Sequence, residues 1–493
     1  MQIVIKCLFL VFFLMPILVS GQIDFYKIYT NNGYDLGQGI VQLEDSSYVV
    51  TGSSSSFQNG ASQAFLLKVD SLGNYKWSKN YGGAESDGGR RVLYKKNVGF
   101  YIAGYTNSYG NGGYDNYLIK TDEQGNFLWN KTYGGNGWEK VNDAILLPDT
   151  SIVMVGQTNT GTSGNDNFYI VRTNKNGDTL WTKNFGTSGN DFATSVKVLN
   201  DSMFVVGGTK YISDSLKNKA YLMCFKKDGQ LVWEHYYGNQ GEYQINDICI
   251  VGNEINVVGF RKNFVPNDDD GYAAKVNING TFIYEFAYSY NTIETYEQIT
   301  SYGNSGNFYI VYNQQLDGVT FPIGKDVLAG RFTSALVYDN HALGFSNIGD
   351  DISGQIIATN DGGVIVVGYN TSFGSGGNNV YLTKIGVNDV FPVTSVVPNT
   401  NPLVKLNELK ESESVQFFPN PTNDELNILL PDDFKGEVEL KDILGRSVYS
   451  EKIEGSKFKI SMLNYNIKAG NYFLFISSKN NITFSTKITL IQN

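Results

Sequence analysis

Hydrophobic and polar positions recur along most of the chain with a single period. Short runs of aliphatic and aromatic residues alternate with turns rich in Gly, Asn, Asp and Ser, and four runs make one repeat. In the second repeat these runs are RRVLYK, GFYIAGYT, DNYLIKT and NFLWNKTY. Short runs bounded by turn residues predict β-strands. No helical period is sustained in this region, so the fold class expected is all-β.

An aromatic column sets the length of the repeat. Phrases of the type WSKNYGG begin every 52 residues, at Trp77, Trp129, Trp181 and Trp233. The column continues in more divergent form to Phe25, Tyr284 and Leu336, which gives seven repeats. Four strands per repeat of this length are typical of a β-propeller. A linear β-solenoid is the alternative, but solenoids usually have a shorter period.

The two ends of the repeat region complete each other. The region begins with a lone strand of the fourth type, 24–30, and ends after a strand of the third type, 380–385. We therefore predict a seven-bladed β-propeller over residues 22–387, in which the N-terminal strand closes the last blade and removes unpaired edges. The tryptophans are expected to pack between neighbouring blades.

The repeats resemble those of secreted bacterial propellers in which W-x-K-x-Y-G-G precedes a Gly/Thr turn. The third turn of the second repeat, with Asp122, Gly125 and Trp129, also resembles a stretched sialidase Asp-box. In sialidases that motif is a structural turn remote from the catalytic site. The resemblance therefore implies a turn and no sialidase chemistry.

Residues 1–21 have the features of a secretory signal peptide. Lys6 precedes a short apolar core from Cys7 to Val19, and small residues suit cleavage before Gln22. A membrane anchor is the alternative, but the core is shorter than the ~20 residues that a spanning helix needs. No later run is apolar enough to span a bilayer, so no transmembrane segment is expected after signal removal.

The composition changes after residue 387. Six of the ten prolines lie beyond residue 390, and residues 388–413 are expected to form an exposed linker. Residues 414–493 return to short alternating strands separated by turns. They predict a small C-terminal β-sandwich.

This C-terminal part resembles the sorting domain of the type IX secretion system of Bacteroidota-type bacteria. The resemblance rests on FFPNPTNDELNILLP, LKDILGRSVYSEKI and KAGNYFLFISS, in that order. The matching positions are Pro419, Asn420, Pro421, Asp442, Gly445, Arg446, Gly470, Tyr472 and Lys487. The resemblance implies recognition by the type IX machinery and export to the cell surface or the medium. It also implies removal of the domain by a sortase-like peptidase and attachment of the cargo to surface lipopolysaccharide.

Composition excludes several kinds of chemistry. The chain of 493 residues has only two His and three Cys, which excludes multi-His metal sites and disfavours a His-based triad. The net charge is 38 − 48 = −10 without a basic block, so nucleic acid is not an expected partner. Phosphate-loop and nucleophile-elbow motifs are absent from the sequence. Cys224 and Cys249 remain after signal removal, and their spacing leaves open whether they are bonded.

A column of mostly acidic residues follows the YGG phrase and is expected at one end of the central channel. Its members are Asp35, Asp87, Glu139, Asp191, Tyr243 and Glu294, with Asp350 or Asp351 as the continuation. They either accept backbone N–H bonds within their own loops or bind a cation or polyol. Trp138, beside Glu139, is either a loop-packing residue or a stacking platform for a sugar ring.

Two further segments depart from the repeat. Asp268, Asp269 and Asp270 precede a glycine, so they form either a weak candidate site for Ca²⁺, the only cofactor suggested, or a solvated turn. Arg90 and Arg91 follow the acidic column and could bind anions, although a surface salt bridge is the more ordinary interpretation.

These features predict an exported, surface-displayed propeller that acts as a binding module for a glycan or a protein. No residue is assigned a catalytic role, and whether the protein is an enzyme is left open. A polysaccharide hydrolase or lyase that uses two of the ring carboxylates is one alternative. A purely structural surface protein is the other.

Overall fold

The computed structural model describes most of the repeat region and the strands of the C-terminal part. The described residues are 25–29, 33–56, 61–161, 165–215, 217–238, 241–262, 269–288, 293–303, 306–315, 325–345, 350–371, 377–386, 416–418, 425–430, 435–442, 446–461, 465, 467–468, 470–478 and 481–490. The predicted signal peptide and linker lie outside them, as do Asp268, Pro419, Asn420, Pro421 and Gly445. Every regular element in the described residues is a β-strand.

The repeat region forms seven four-stranded antiparallel sheets, which we number as blades one to seven. Blade one contains β2 (Asp35–Gln42), β3 (Tyr48–Ser54), β4 (Gln63–Val69) and β5 (Tyr75–Tyr81). Blade two contains β6 (Asp87–Lys95), β7 (Gly99–Thr106), β8 (Asp115–Thr121) and β9 (Phe127–Tyr133). Blade three contains β10 (Glu139–Leu146), β11 (Ile152–Thr158), β12 (Asn167–Thr173) and β13 (Thr179–Phe185).

The remaining blades repeat this order. Blade four contains β14 (Phe192–Asn200), β15 (Met203–Ile212), β16 (Lys217–Lys226) and β17 (Leu231–Tyr237). Blade five contains β18 (Glu242–Val251), β19 (Glu254–Lys262), β20 (Asp269–Asn277) and β21 (Phe282–Tyr288). Blade six contains β22 (Ile293–Tyr302), β23 (Asn307–Gln315), β24 (Lys325–Phe332) and β25 (Tyr338–Phe345). Blade seven contains β26 (Asp351–Ala358), β27 (Val364–Asn370), β28 (Asn379–Ile385) and β1 (Phe25–Tyr29).

The N-terminal strand closes the ring. Strand β1 pairs antiparallel with β28, from Phe25 opposite Lys384 to Tyr29 opposite Val380. Blade seven therefore takes three strands from one end of the repeat region and one from the other. This arrangement confirms the predicted closure. The third strand of blade seven is paired with a fourth strand, as in the other blades, so its edge is not left unpaired.

The hydrophobic core is divided among the interfaces between neighbouring blades. At the interface of blades two and three, Tyr101 and Leu118 pack with Val141 and Met154, and all four side chains are buried. Similar clusters lie at the other interfaces. Each sheet therefore buries both of its faces, and strands such as β3, β8 and β28 are buried along their whole length.

The W-x-K-x-Y phrase clasps each blade to the next. The indole of Trp77 packs against Gly125, in the turn between the third and fourth strands of the following blade. That glycine has φ of +74°, and a Cβ there would lie 2.8 Å from the indole, so the position requires glycine. The Tyr81 hydroxyl donates a hydrogen bond of 2.7 Å to the carbonyl of the same glycine. The expected packing of the tryptophans between blades is thus confirmed.

The clasp recurs around the ring with the same geometry. Each tyrosine hydroxyl lies 2.7 Å from a glycine carbonyl of the following blade in the pairs Tyr29–Gly73, Tyr133–Gly177 and Tyr237–Gly280. Blade three departs from this pattern because its phrase, WTKNF, places Phe185 at the tyrosine position, and the bond is not among those described for blades five and six.

The first strands of the blades surround the central axis and carry a bulge at the same place. Each of them contacts the first strands of both neighbouring blades. The extra residues at the seven bulges are Gln38, Arg90, Asn142, Thr194, Asn246, Glu297 and Gly354. A bulge frees one residue from the ladder, so its side chain can bond to the neighbouring blade instead.

Two kinds of hydrogen bond link these bulges across blades. In three blades the bulge side chain donates to a carbonyl of the next blade: Asn142 to Ala193 (2.7 Å), Thr194 to Ile245 (2.7 Å) and Asn246 to Tyr296 (2.9 Å). In three blades the following residue accepts a backbone N–H of the next blade: Gln355 from Ile40 (2.9 Å), Asp143 from Val196 (2.9 Å) and Asp247 from Ile299 (3.1 Å). We call this set of links the inner ring.

The inner ring contains a buried chain of charges. Arg91 Nε lies 2.7 Å from Asp143, and Lys197 Nζ lies 3.3 Å from Asp143 and 2.9 Å from Asp247. Burial alone would raise the pKa of Asp143, but Lys197 and Arg91 hold it below its usual range. The expectation of a surface salt bridge for Arg91 was wrong. Strand β6 begins four residues earlier, at Asp87, so Arg91 lies within a buried strand.

Cys224 and Cys249 are both free thiols. Cys224 is buried in β16 at the interface of blades four and five, and Cys249 is half-buried in β18. Burial raises the pKa of the Cys224 thiol to about 11, which keeps it protonated and unreactive at neutral pH.

The C-terminal part forms two sheets that share one core. The first contains β29 (Gln416–Phe418), β30 (Glu425–Leu429) and β33 (Lys457–Ser461). The second contains β31 (Lys435–Asp442), β32 (Ser447–Glu454), β34 (Gly470–Ser478) and β35 (Asn481–Leu490). Leu426 and Ile428 of the first sheet cluster with Val438, Leu440 and Leu474 of the second. The two-sheet arrangement is the small β-sandwich that the sequence predicts.

The predicted sorting residues that are described lie mainly in the second sheet. Asp442 pairs with Tyr472 across β31 and β34, and Gly470 begins β34. Tyr472 is buried, and its hydroxyl donates to the carbonyl of Lys468 at 2.6 Å. Lys487 lies in β35 opposite Phe473, and Arg446 is exposed at the start of β32.

The irregular clasp of blade three gives a stability test. Phe185→Tyr should add the missing hydrogen bond to the carbonyl of Gly229, and Tyr133→Phe should remove the equivalent bond to Gly177. A net intramolecular hydrogen bond contributes about 1 kcal/mol, so the two variants should shift the free energy of unfolding by similar amounts in opposite directions. Denaturant unfolding of the full chain measures both shifts. A loss of stability in Phe185→Tyr would contradict this account of the clasp.

Candidate functional site

Two sets of loops meet on one face of the propeller, which we call the upper face. They are the loops between the second and third strands of each blade, and those that lead from one blade to the first strand of the next. Backbone hydrogen bonds tie the two sets together, as between Asp87 N and Ser62 O (2.7 Å) and between Glu139 N and Tyr114 O (2.6 Å). Asp35, Asp87, Glu139 and Asp191 are therefore each held, at or next to the start of a first strand, against a loop of the preceding blade.

The carboxylates of the column hold these loops in shape by accepting hydrogen bonds from loop residues. Asp87 is fully buried and accepts hydrogen bonds from Gly83 N at 2.7 Å, Ser108 Oγ at 2.8 Å and the Thr106 hydroxyl. Glu139 accepts equivalent bonds from Gly135 N at 2.9 Å and Thr158 Oγ1 at 2.6 Å. Of the two interpretations left open by the sequence, these contacts favour the loop-building role.

Asp35 and Asp191 occupy the same kind of site. Asp35 accepts bonds from the hydroxyls of Ser54 and Ser56, and Asp191 accepts a bond of 2.7 Å from Tyr211 N. Burial raises the pKa of Asp35 to about 6 against the opposing effect of the two serines. Burial also raises the pKa of Asp191, although its hydrogen bonds oppose this.

The column changes character in blades five to seven. Tyr243 is buried against Tyr272, with the two ring centroids 5.1 Å apart. Glu294 lies in β22 opposite Gln314, and its side chain is outside the described part of the chain. Asp351 rather than Asp350 continues the column, because Asp351 pairs with Asn370 as Asp35 pairs with Ser54.

A second acidic residue, Asp115, shares the site of Glu139 and was missed in the sequence. Each third strand begins with a residue that faces the column residue of the next blade, and three of these positions hold Gln63, Asp115 and Asn167. The sequence signal was available, since these positions are also 52 residues apart. Blade two places a carboxyl group at this position, opposite the Glu139 carboxylate, and Asp270 is the equivalent residue of blade five, where the Glu294 side chain lies outside the described part of the chain.

Asp115 and Glu139 form a buried carboxyl pair. Each side chain is about 1% exposed, and both approach the backbone of Gly134. Burial raises the pKa of Asp115 to about 6, and the adjacent Glu139 carboxylate adds to this rise. A hydrogen bond from Asn111 N, at 2.8 Å, opposes it. The pair therefore holds an additional proton up to mildly acidic pH.

Exposed aromatic residues gather on the upper face around blades two and three. The rings of Tyr105 and Tyr114 meet edge to face with centroids 5.5 Å apart, and Tyr114 and Tyr109 are each 40% exposed. Trp138 is half-buried, and its backbone N–H donates to Asn159 Oδ1 at 2.8 Å. Its loop adjoins the Tyr114 segment through Gly113 N and Gly137 O, at 2.8 Å. We call Tyr105, Tyr109, Tyr114 and Trp138 the aromatic surface.

The predicted calcium ligands are only partly described. Asp270 is buried and forms an ion pair with Arg261, and Asp269 begins strand β20. The carboxylate of Asp270 thus has a cationic partner from its own blade. Among the described side chains there is no group of three or more His, Cys, Asp or Glu that could hold a metal ion. Calcium binding by this loop stays a prediction.

Comparison with known proteins identifies the C-terminal part. Residues 416–491 match the family described as the secretion system C-terminal sorting domain. This match confirms the sorting domain expected from the sequence, and proteins that carry it are secreted through the type IX system to the cell surface or extracellular space. In the described part of the chain, no helix has the length and apolar character needed to cross a membrane.

The chain is thus a β-propeller protein with a type IX sorting domain. It is similar to the WD40 domain of Pan2 from Neurospora crassa, at 11% identity and a TM-score of 0.43, over 71% of this chain and 95% of that domain. It is also similar to Sqt1 from Chaetomium thermophilum, at 12% identity and a TM-score of 0.40, over 82% and 95% of the two chains. A puromycin hydrolase matches at 10% identity and a TM-score of 0.45, over 80% of this chain and 59% of the hydrolase. No curated protein sequence matches this chain significantly.

The Asp115–Glu139 pair predicts a dependence of stability on pH. Because the pKa of Asp115 is raised in the folded state, stability should fall as the pH rises through about 6. Asp115→Asn should remove this loss and increase the free energy of unfolding at pH 7.5 by about 1 kcal/mol, with little gain at pH 4.5. Denaturant unfolding at the two pH values measures the effect.

Asn167→Asp is the matched control, because it places a second carboxyl beside Asp191. We expect it to destabilise the protein at pH 7.5 and to have little effect at pH 4.5. Equal effects of either substitution at both pH values would contradict the proton-sharing interpretation.

Proposed function

We propose that this exported propeller is a carbohydrate-binding protein and that the aromatic surface holds the sugar. After removal of the sorting domain by the sortase-like peptidase, the propeller would be displayed on surface lipopolysaccharide or released. The observation that carries the proposal is the cluster of neighbouring, partly exposed aromatic side chains on the loops of blades two and three.

The repeat itself supports this assignment. Where blade two has Tyr114, the equivalent positions hold Ser62, Asp166 and Asn218. Where the next loop has Trp138, the equivalent positions hold Ser86, Asn190 and Glu242, and the loop before blade one holds another exposed aromatic residue, Tyr34. Two adjacent loops of blades two and three therefore carry aromatic residues at positions where most of the equivalent loops have polar residues. Partial exposure of large rings on a soluble domain is typical of a binding surface.

The chemistry of these residues suits a sugar. Tyrosine and tryptophan present flat apolar faces that can cover the C–H face of a pyranose ring, and their polar atoms remain available for hydroxyl groups. The Tyr105 and Tyr114 rings fix each other edge to face, and the backbone bonds of Trp138 fix its loop. Such a site loses little side-chain entropy when a ligand binds.

The ring carboxylates give less support to the hydrolase alternative. Glycoside hydrolysis needs two carboxyl groups that flank the bond to be cleaved. Asp35, Asp87 and Asp191 are fully buried and accept hydrogen bonds from their own loops, and Glu139 is about 1% exposed. None of the four therefore presents a carboxylate at the surface where a polysaccharide would lie. A purely structural role leaves the two aromatic replacements without a purpose.

Substitution of the aromatic surface tests the proposal. The full exported chain is screened on a glycan array, and the strongest ligand is then titrated against Trp138→Ala and Tyr114→Ala. Loss of one stacking face should weaken binding by about tenfold, with the melting temperature little changed. Tyr236→Ala is the matched control, because that tyrosine is 61% exposed on the outer strand of blade four.

Two results would overturn the assignment. One is an array on which the folded protein binds no glycan, a result that would favour a protein ligand. The other is unchanged affinity in both aromatic variants together.

The export route has its own test. Deletion of residues 411–493, with the signal peptide retained, should leave the propeller in the periplasm because the sorting domain at 416–491 is lost. Immunoblots of periplasmic, surface and medium fractions locate the truncated chain. Its appearance at the cell surface in normal amounts would contradict the sorting role.

A further inference from the structure

Arg90 is a member of the inner ring that does not follow the pattern of its neighbours. By that pattern, its side chain would donate to the carbonyl of Val141, as Asn142 does to the carbonyl of Ala193. Instead, Arg90 Nε is buried and has no hydrogen-bond partner among the described residues. None of the salt bridges in the described part of the chain includes Arg90, whereas Arg91 is paired with Asp143.

Arg90 is the bulge residue of β6, one of the first strands that surround the central axis, and its electrostatic partners place its guanidinium in the space that these strands enclose. Its charge acts on Tyr105 of its own blade, on Tyr369 of blade seven and on Lys140 of blade three. Blade one separates blades two and seven around the ring. A side chain that reaches partners on both sides must therefore point into the central channel. Lys140 directly follows Glu139 in β10, so this point of the channel is near the upper face.

The charges around this point do not balance. Burial and the neighbouring Arg91 lower the pKa of Arg90, and the groups that oppose them among the described residues are Tyr105 and Tyr369 rather than a carboxylate. Burial and Arg90 likewise lower the pKa of Lys140, with Asp166 as the one opposing group. Two cations thus share one carboxylate in a partly desolvated place. A cation away from bulk water is ordinarily paired with a counter-charge, because removing a charge from water is unfavourable.

We propose that Arg90 and Lys140 form an oxyanion subsite in the mouth of the channel, which takes the carboxylate or sulfate group of an acidic sugar. The planar guanidinium suits bidentate contact with such a group. Tyr105 connects the two regions, because it contacts Tyr114 of the aromatic surface and lies close to Arg90. The sugar identity rests on the proposed function, whereas the anion subsite follows from the channel itself.

The test measures anion binding by the full exported chain. Sulfate, phosphate, galacturonate and neutral galactose are titrated by calorimetry at constant ionic strength, and their effects on the melting temperature are recorded. The three anions should bind and stabilise the wild-type protein. Arg90→Gln should weaken their binding by about tenfold or more, and Lys140→Gln by a smaller factor. Lys76→Gln, at an exposed ion pair with Asp70, should bind the anions as the wild type does.

Stability without ligand separates a binding role from a structural one. Because no carboxylate in the described part of the chain forms an ion pair with Arg90, Arg90→Gln should melt at the same temperature as the wild type or higher. If Arg90→Gln does not fold, calorimetry on the wild type and on Lys140→Gln still decides. Absence of anion binding to the wild type, or equal anion affinity in wild type, Arg90→Gln and Lys140→Gln, would overturn the subsite.

The aromatic variants distinguish this proposal from the previous one. Galacturonate should bind more tightly than sulfate, and Trp138→Ala should remove that difference while sulfate still binds. Sulfate binding that depends on Arg90, with galacturonate unaffected by Trp138→Ala, would support the subsite and overturn the sugar assignment. Neutral glycan binding that depends on Trp138, with no response to any anion, would do the reverse.

Discussion

The structure depends on how one blade is held to the next, because nothing covalent closes the ring. Each blade contacts its neighbour at two distances from the central axis. Near the outside, a tryptophan packs on a glycine and a tyrosine hydroxyl bonds to the carbonyl of that glycine. Near the axis, the bulged first strands exchange side-chain and backbone hydrogen bonds. Strand β1 then fixes the number of blades by completing the seventh sheet.

In this ring, the residues that link neighbouring blades are different from the loop residues proposed to bind a ligand. The clasp and the inner ring use equivalent positions in several blades, which agrees with the 52-residue spacing of the tryptophans and tyrosines. The upper-face loops between second and third strands carry none of these links, and they are where blade two differs from the rest. Tyr114, Asp115 and Arg90 all belong to blade two, and Trp138 and Lys140 belong to the segment that follows it. Several departures from the repeat therefore lie together at this one interface.

The architecture could be predicted from the sequence because each strand and turn pattern, although weak on its own, occurs several times at the same spacing. The four strand runs, the register of the tryptophans and the missing fourth strand near residue 385 together require a closed ring of seven blades, and the sheet order agrees. The sorting domain was equally predictable, since its motifs occur in order over the last part of the chain. The site was harder to predict. The acidic column was found at the right positions, but its side chains point into their own loops.

The sequence by itself determined the fold class, the blade count, the closing strand and the export signal, because these depend on spacing and on local strand and turn preferences. Only the tertiary structure decided which charges are neutralised. Arg90 and Arg91 are adjacent in sequence, yet Arg91 pairs with a buried aspartate of the next blade, whereas no ion pair in the described part of the chain includes Arg90. Asp115 and Glu139 are 24 residues apart in sequence and adjacent in space. Pairing across blades depends on how the sheets pack around the axis, and that packing is not encoded at any single position of the repeat.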